Sequence, residues 1–271
     1  MPYPLNPLHP CEKAFEKKEL NRDAGDKTKL DKREPNLKPT PSLEVLMTRH
    51  LMSQFDTDLN EIRSKLLEMG GKVEKMIHDS MKALVERNTE LAGATIEYDH
   101  EINRLEVEID ERCLEVLALR QPTARDLRFI TLALKIVTDL ERIGDQCRNI
   151  AKRATELNDL PSLKPYIDLP RMALIAASMV TEALDAFVRG DEQMAYAVCR
   201  RDSEVDLLNE QIQRELLTFM IEDTSTITRA IKITAISKCL ERVADHATNV
   251  AEMVIFMVKG KDIRHMVCDA Q

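Results

Sequence analysis

Glu141, Asp145 and Asn149 recur as Glu241, Asp245 and Asn249 one hundred residues further along the chain. They sit in near-repeats, Leu140-Glu-Arg-Ile-Gly-Asp145-Gln-Cys-Arg-Asn149 and Leu240-Glu-Arg-Val-Ala-Asp245-His-Ala-Thr-Asn249. Residues at i and i+4 share one helix face, so each repeat stacks two carboxylates and an amide as an oxygen ladder. Unpaired anions on a packing face are costly, and a duplicated pair therefore points to something cationic bound there. The competing reading is that the acids are ordinary flanking charges paired with Arg142, Arg148 or Arg125.

Two further ladders favour the cation. Asp99-His-Glu-Ile-Asn103 precedes the first repeat, and Asp202-Ser-Glu-Val-Asp206 precedes the second at the matching place. Antiparallel helices bring together residues equidistant from their connecting turn. With a turn near residue 121, Asp99 and Asn103 stand at the height of Glu141 and Asp145, given the helical rise per residue. With a turn near 222, Asp202 and Asp206 match Glu241 and Asp245 in the same way. Oxygen donors of this kind suit hard cations, and carboxylate clusters can bridge several metal ions. A ferritin-like di-iron site is rejected, because its Glu-x-x-His string occurs once, as Glu97-Tyr-Asp-His100, without a counterpart in the other half. His246 and His265 show no partner in sequence and read as surface histidines.

The elements that must carry these ladders are helices. Seven glycines, no Trp and ten aromatics among 271 residues indicate an all-α protein. Apolar periodicity predicts helices over about 44–89, 91–119, 122–157, 168–189, 191–220 and 225–259, with Pro122 in the first turn of the third and a loosening at Gly70-Gly71 in the first. Pro161 and Pro165 mark a linker between two sets of three, so the expected fold is two tandem, pseudo-symmetric three-helix bundles. The expected organisation is a flexible extension over 1–43, a first repeat over 44–160, a second over 161–262 and a tail over 263–271. The extension holds seven of the eleven prolines and lacks a core-forming face.

A formal net charge of -8 argues against a general nucleic-acid binder. No apolar run approaches the roughly 18–20 residues of a membrane span, and the N-terminus lacks the apolar core of a secretory signal. The six cysteines are scattered without a CxxC pair, so they read as reduced thiols in a cytosolic protein. Nucleophilic and phosphate-loop motifs are absent, since Gly70-Gly71-Lys72 lacks the spaced glycine of a P-loop.

These residues resemble the PhoU family, the phosphate-transport accessory proteins of bacteria. The resemblance rests on Glu141-Arg-Ile-Gly-Asp145 and Glu241-Arg-Val-Ala-Asp245 with their partner ladders, on Arg120-Gln-Pro-Thr-Ala-Arg-Asp-Leu-Arg128, on Met69-Gly-Gly-Lys-Val and on Val258-Lys-Gly-Lys-Asp-Ile-Arg-His265. It spans about residues 48–266. It implies multinuclear metal clusters (iron, zinc, manganese or magnesium) held by Asp99, Asn103, Glu141 and Asp145 in one bundle and by Asp202, Asp206, Glu241 and Asp245 in the other. It also implies a cytoplasmic, dimeric, non-enzymatic negative regulator of the phosphate-starvation response and phosphate uptake. Its implied partners are the phosphate-sensing histidine kinase and the ATP-binding subunit of the phosphate ABC transporter. Asn103 stands where the family pattern has Asp, which leaves the first site one anion short. A metallo-phosphohydrolase and a purely structural scaffold are the competing functional readings.

Overall fold

The computed structural model describes the backbone of residues 43–260 and side chains from residue 54 onward. The N-terminal extension up to residue 42, the 263–271 tail, Cys11, Cys268 and His265 lie outside the described residues. Six α-helices follow one another: α1 (Leu43–Val85), α2 (Thr89–Arg120), α3 (Ala124–Asn158), α4 (Asp168–Arg189), α5 (Glu192–Glu222) and α6 (Ile227–Lys259). A single 3-10 turn, Thr224–Thr226, precedes α6, and no strand occurs among the described residues.

Local chemistry explains where the helices stop. The side chains of Asn88 and Asp191 cap α2 and α5 by accepting hydrogen bonds from free N–H groups of the first turn. Gly190 and Gly260 take φ of 67° after α4 and α6, the left-handed conformation that closes a helix without a Cβ clash. Two expectations shift. Pro122 lies before α3 rather than in its first turn, because Gln121 turns left-handed (φ 46°) and Thr123 is the N-cap. Gly70-Gly71 does not loosen α1, which runs through them. Gly70 is instead a close-approach residue, since a Cβ there would meet Leu184 Cδ1 of α4 at 2.2 Å.

Each set of three helices packs mutually, α1–α2–α3 and α4–α5–α6, as expected for two tandem bundles. The bundles join where α1 meets α4 and α3 meets α6, while among the described residues neither α2 nor α5 packs against a helix of the other bundle. One continuous core runs through both, with Leu66, Ile136, Leu140 and Ile143 of the first bundle and Met179, Ile236, Leu240 and Val243 of the second. The repeated ladders lie on α3 and α6, beside the seam, and α2 and α5 cover them from outside. Cys113, Cys147, Cys199 and Cys239 are buried cysteines within these helices, and none of them forms a disulfide. Burial pushes the Cys113 thiol up to about 12, which keeps it protonated and unreactive at neutral pH.

Candidate cation clusters

The α2 and α3 ladders do meet. Asp99 is buried, and a Cβ on Gly144 of α3 would lie 3.5 Å from its Oδ1, so the carboxylate is pressed against the α3 backbone. Ile102 of α2 lies at similar range, 3.4 Å from the same Cβ position, so a methyl group at 144 would make only ordinary contacts with α2. Arg148 then reaches across, donating to Asp99 Oδ2 at 2.7 Å and pairing with Asp145 Oδ1 at 2.6 Å. Of the three arginines that could have paired with the acids, Arg148 is the one turned inward.

Sequence reading missed two members of this cluster. Glu106 and Asp110 continue the Asp99–Asn103 face of α2 at helical spacing, and both are half-buried. Burial raises the Glu106 carboxyl above its usual range, with Asp110 and Asp145 adding repulsion. Burial also raises Glu141, with Asp145, Glu106 and Asp99 pushing further. Glu106, Asp110, Asp99, Glu141 and Asp145 therefore form one negative field, which offsets the anion missing at Asn103. The 3–4 spacing from 99 through 103, 106 and 110 was the signal available in sequence.

The second cluster unites Asp202 and Asp206 of α5 with Glu241 and Asp245 of α6. Burial, Asp206 and Asp245 lift the Asp202 carboxyl to about 6, against a smaller opposing pull from the Thr248 hydroxyl. Partial burial and Glu241 raise both Asp206 and Asp245. Lys238, one helical turn before Glu241, forms an ion pair with it. At the positions matching Glu106 and Asp110, α5 carries Asn209 and Gln213. Asn209 accepts hydrogen bonds from Ser237 (2.6 Å) and Gln213 (3.2 Å). This end of the second cluster is thus a closed neutral network rather than more acid.

Both clusters gather carboxylates that repel one another. Asp99 Oδ1, Asn103 Oδ1 and Asp110 Oδ1 are buried oxygens with no hydrogen-bond partner, an arrangement that costs free energy unless a positive group supplies the missing contact. Among the described residues, however, no three His, Cys, Asp or Glu side chains converge at metal-holding distance. Arg148 and Lys238 stand among the acids as internal cations, so a metal would compete with them for carboxylate oxygens. His246 departs from expectation. Its Nδ1 lies 2.8 Å from Asp139 Oδ1 of α3, so it is a half-buried seam residue and not a free surface histidine.

Arg120, the first residue of the Arg120–Arg128 motif, has a structural partner. With Arg112 it binds the buried Asp58 of α1, at 2.9 and 2.8 Å, and so ties α2 to α1. No helix among the described residues is long and apolar enough to cross a membrane.

An all-helical tandem repeat, each bundle carrying an acidic cluster between its second and third helices, defines the structural class. The PhoU domain model matches this chain twice, over residues 66–154 and 169–254, and the chain belongs to the PhoU family. It is 43% identical over 221 residues to the phosphate-specific transport system accessory protein PhoU homolog of Pseudomonas putida, covering 81% of this chain and 86% of that protein. The crystal structure of PhoU from Pseudomonas aeruginosa aligns with TM-score 0.73 at 43% identity, covering 76% of this chain and all of the other. The phosphate transport system regulatory protein PhoU from Streptococcus pneumoniae aligns with TM-score 0.71 at 28% identity, covering 77% of this chain and 98% of that one.

Proposed function

We propose that this chain is a cytoplasmic, metal-binding adaptor that restrains the phosphate-starvation response and phosphate uptake. It links the ATP-binding subunit of the phosphate ABC transporter to the phosphate-sensing histidine kinase, and it works as a homodimer without catalysing a reaction. The observation that carries this reading is the family match over both bundles, together with relatives named as accessory and regulatory proteins of phosphate transport. The fold supports it in one respect. The outer helices α2 and α5 expose Leu114, Leu119, Leu207 and Leu217, an apolar supply for protein partners that the bundle cores do not use.

The clusters described above would hold the metal. Asp99, Asn103, Glu141 and Asp145, with Glu106 and Asp110, serve the first bundle; Asp202, Asp206, Glu241 and Asp245 serve the second. A hard divalent or ferric ion bound there would neutralise the repelling carboxylates and so stabilise the packing of the helices that carry them, a structural contribution that needs no reaction. Affinity capture with the tagged full-length chain, from cells grown at high and low phosphate, tests the adaptor role. Retention of the kinase and the transporter ATPase, changing with phosphate, is expected. Capture of neither at either phosphate level sinks the adaptor reading, and phosphoester hydrolysis by metal-loaded protein would replace it with the enzyme.

A further inference from the structure

The Arg120–Arg128 motif leaves two arginines, Arg125 and Arg128, that form no ion pair among the described residues. Arg125 and Arg128 lie in the first turns of α3 and face a cavity of about 340 Å3 at one end of the seam between the bundles. That volume falls within the roughly 300–1,000 Å3 range of small-ligand sites. Arg63 from α1 and Arg189 from the end of α4 line it as well, and Asp126 is the one carboxylate among the lining residues. In a chain of net charge -8, four guanidiniums against one carboxylate make a concentrated positive site.

Two of the arginines, Arg63 and Arg189, are held by neighbouring side chains. Arg63 is held by a hydrogen bond to Asn60 Oδ1 at 2.8 Å, and its guanidinium lies 4.6 Å from the centroid of the Phe129 ring. Phe129 in turn stacks on Phe187 of α4, with centroids 5.0 Å apart, so the cavity floor bridges the two bundles. Arg128 Nε is buried with no hydrogen-bond partner, and among the described residues no carboxylate pairs with Arg125 or Arg128. Asp126 is engaged by the Thr123 hydroxyl at 3.0 Å, and Arg189 by Asp185 at 3.2 Å. The α3 N-terminus adds its positive dipole end. The C-termini of α4 and α6 oppose it, yet each is a partial charge against whole guanidinium charges.

We propose that this cavity binds a phosphate-type oxyanion, held by Arg125 and Arg128 with Arg63 and Arg189 at the rim. Planar guanidinium forks match the paired oxygens of a phosphoryl group and can engage it bidentately, which a point-like ammonium cannot. Because α1 and α3 come from one bundle and α4 from the other, an anion held here ties the bundles together across the seam. Binding is independent of the adaptor role and of the acidic clusters, and purified protein stripped of metal keeps the three questions separable.

The test is isothermal titration of the full-length chain, freed of metal on chelating resin, at constant ionic strength. The probes are inorganic phosphate, tripolyphosphate and malonate. Saturable binding of a phosphate probe is expected, weakened at least tenfold in the Arg125→Gln/Arg128→Gln double variant and unchanged in Lys135→Gln, an exposed charge elsewhere on α3. Arg125→Gln alone removes an exposed side chain, so it keeps its fold and should weaken binding severalfold. Comparable affinity for both phosphate probes identifies free phosphate as the ligand; binding of tripolyphosphate alone identifies a phosphate chain. Three results would overturn the site: no saturable binding of either at millimolar concentration, equal binding by the double variant, or malonate binding as tightly as phosphate.

Discussion

Where the first bundle sets Arg148 between Asp99 and Asp145, the second bundle has Thr248 in the matching place, and its cation is Lys238, paired with Glu241. The difference matters because of burial. The Asp99 side chain is 2% exposed and Arg148 is half-buried, whereas the Lys238 side chain is 50% exposed and free to swing into water. The first cluster therefore carries a built-in counter-ion, with extra acids in Glu106 and Asp110. The second holds four acids whose charge is relieved only at the surface. The same helix scaffold thus supports one cluster with a half-buried cation bound to its most buried acid and another whose cation lies at the surface.

The largest expected effect follows from removing the built-in cation. Arg148→Met should destabilise the metal-free chain by about 3 kcal/mol, because it strands a buried, uncompensated Asp99. Urea denaturation with and without divalent metal checks this, since added metal should restore most of the loss. An equal loss in both conditions would mean that Arg148 matters for packing and not as a stand-in for a cation.

Metal titration comes next in size. The second cluster should fill first, because a metal entering the first must displace Arg148 from Asp99 and Asp145. Asp245→Ala should remove metal from the second cluster without unfolding the bundle. Asn103→Asp should tighten the first on the order of tenfold by adding a charge at close range. Unchanged metal stoichiometry in Asp245→Ala would make the acids ordinary ion-pair partners and end the metal reading.

A smaller effect separates the clusters by pH. Asp202 holds its proton up to about pH 6 in the folded chain, against an ordinary value of 3.8. Between those values the folded state binds more protons than the unfolded state, so stability falls as pH rises through that window. Acidifying metal-free protein from pH 7 to pH 5 should therefore stabilise it by about 1 kcal/mol through Asp202, allowing for solvent screening of a partly exposed group. Asp202→Asn should flatten that slope in thermal melts across the range. A slope that persists in the variant would assign the effect to Glu106 and Glu141 of the first cluster, whose carboxyls are also raised.

How far these features could be read from sequence depended on whether they were set within a helix pair or across the seam. The six helices followed from apolar spacing, and the meeting of Asp99 with Glu141 and Asp145 followed from equal distance to one turn. Glu106 and Asp110 share that periodicity, but half-exposed acids on a helix read by default as solvated. Which of Arg142, Arg148 and Arg125 turned inward depended on the rotation of α3 about its own axis, which spacing alone does not fix. Gly70 and His246 needed partners in the other bundle, Leu184 and Asp139 respectively, and no local pattern announces a contact between helices so far apart in sequence. Pro122 slipped out of α3 because Gln121 adopts the left-handed conformation, a turn that residue types alone do not single out.

The smallest predicted effect belongs to Lys238. Its ion pair with Glu241 is half in water and spans one helical turn, so Lys238→Met should change the stability of the chain by less than about 1 kcal/mol. Its influence on charge is larger than its influence on stability. Lys238 pulls both Asp206 and Asp245 back toward their ordinary range, against the burial and repulsion that raise them. Without it, those carboxyls should hold protons to higher pH, and the acid-side gain in stability should steepen where Asp202→Asn flattens it. A metal ion then meets the same four acids without a competing ammonium, so metal should bind the second cluster severalfold more tightly. Calorimetric titration of Lys238→Met beside Arg148→Met reads the contrast directly, with a modest gain in affinity and little loss of fold in one, and a metal-dependent fold in the other. If both variants behave alike, the two clusters are equivalent and the buried arginine does not distinguish them.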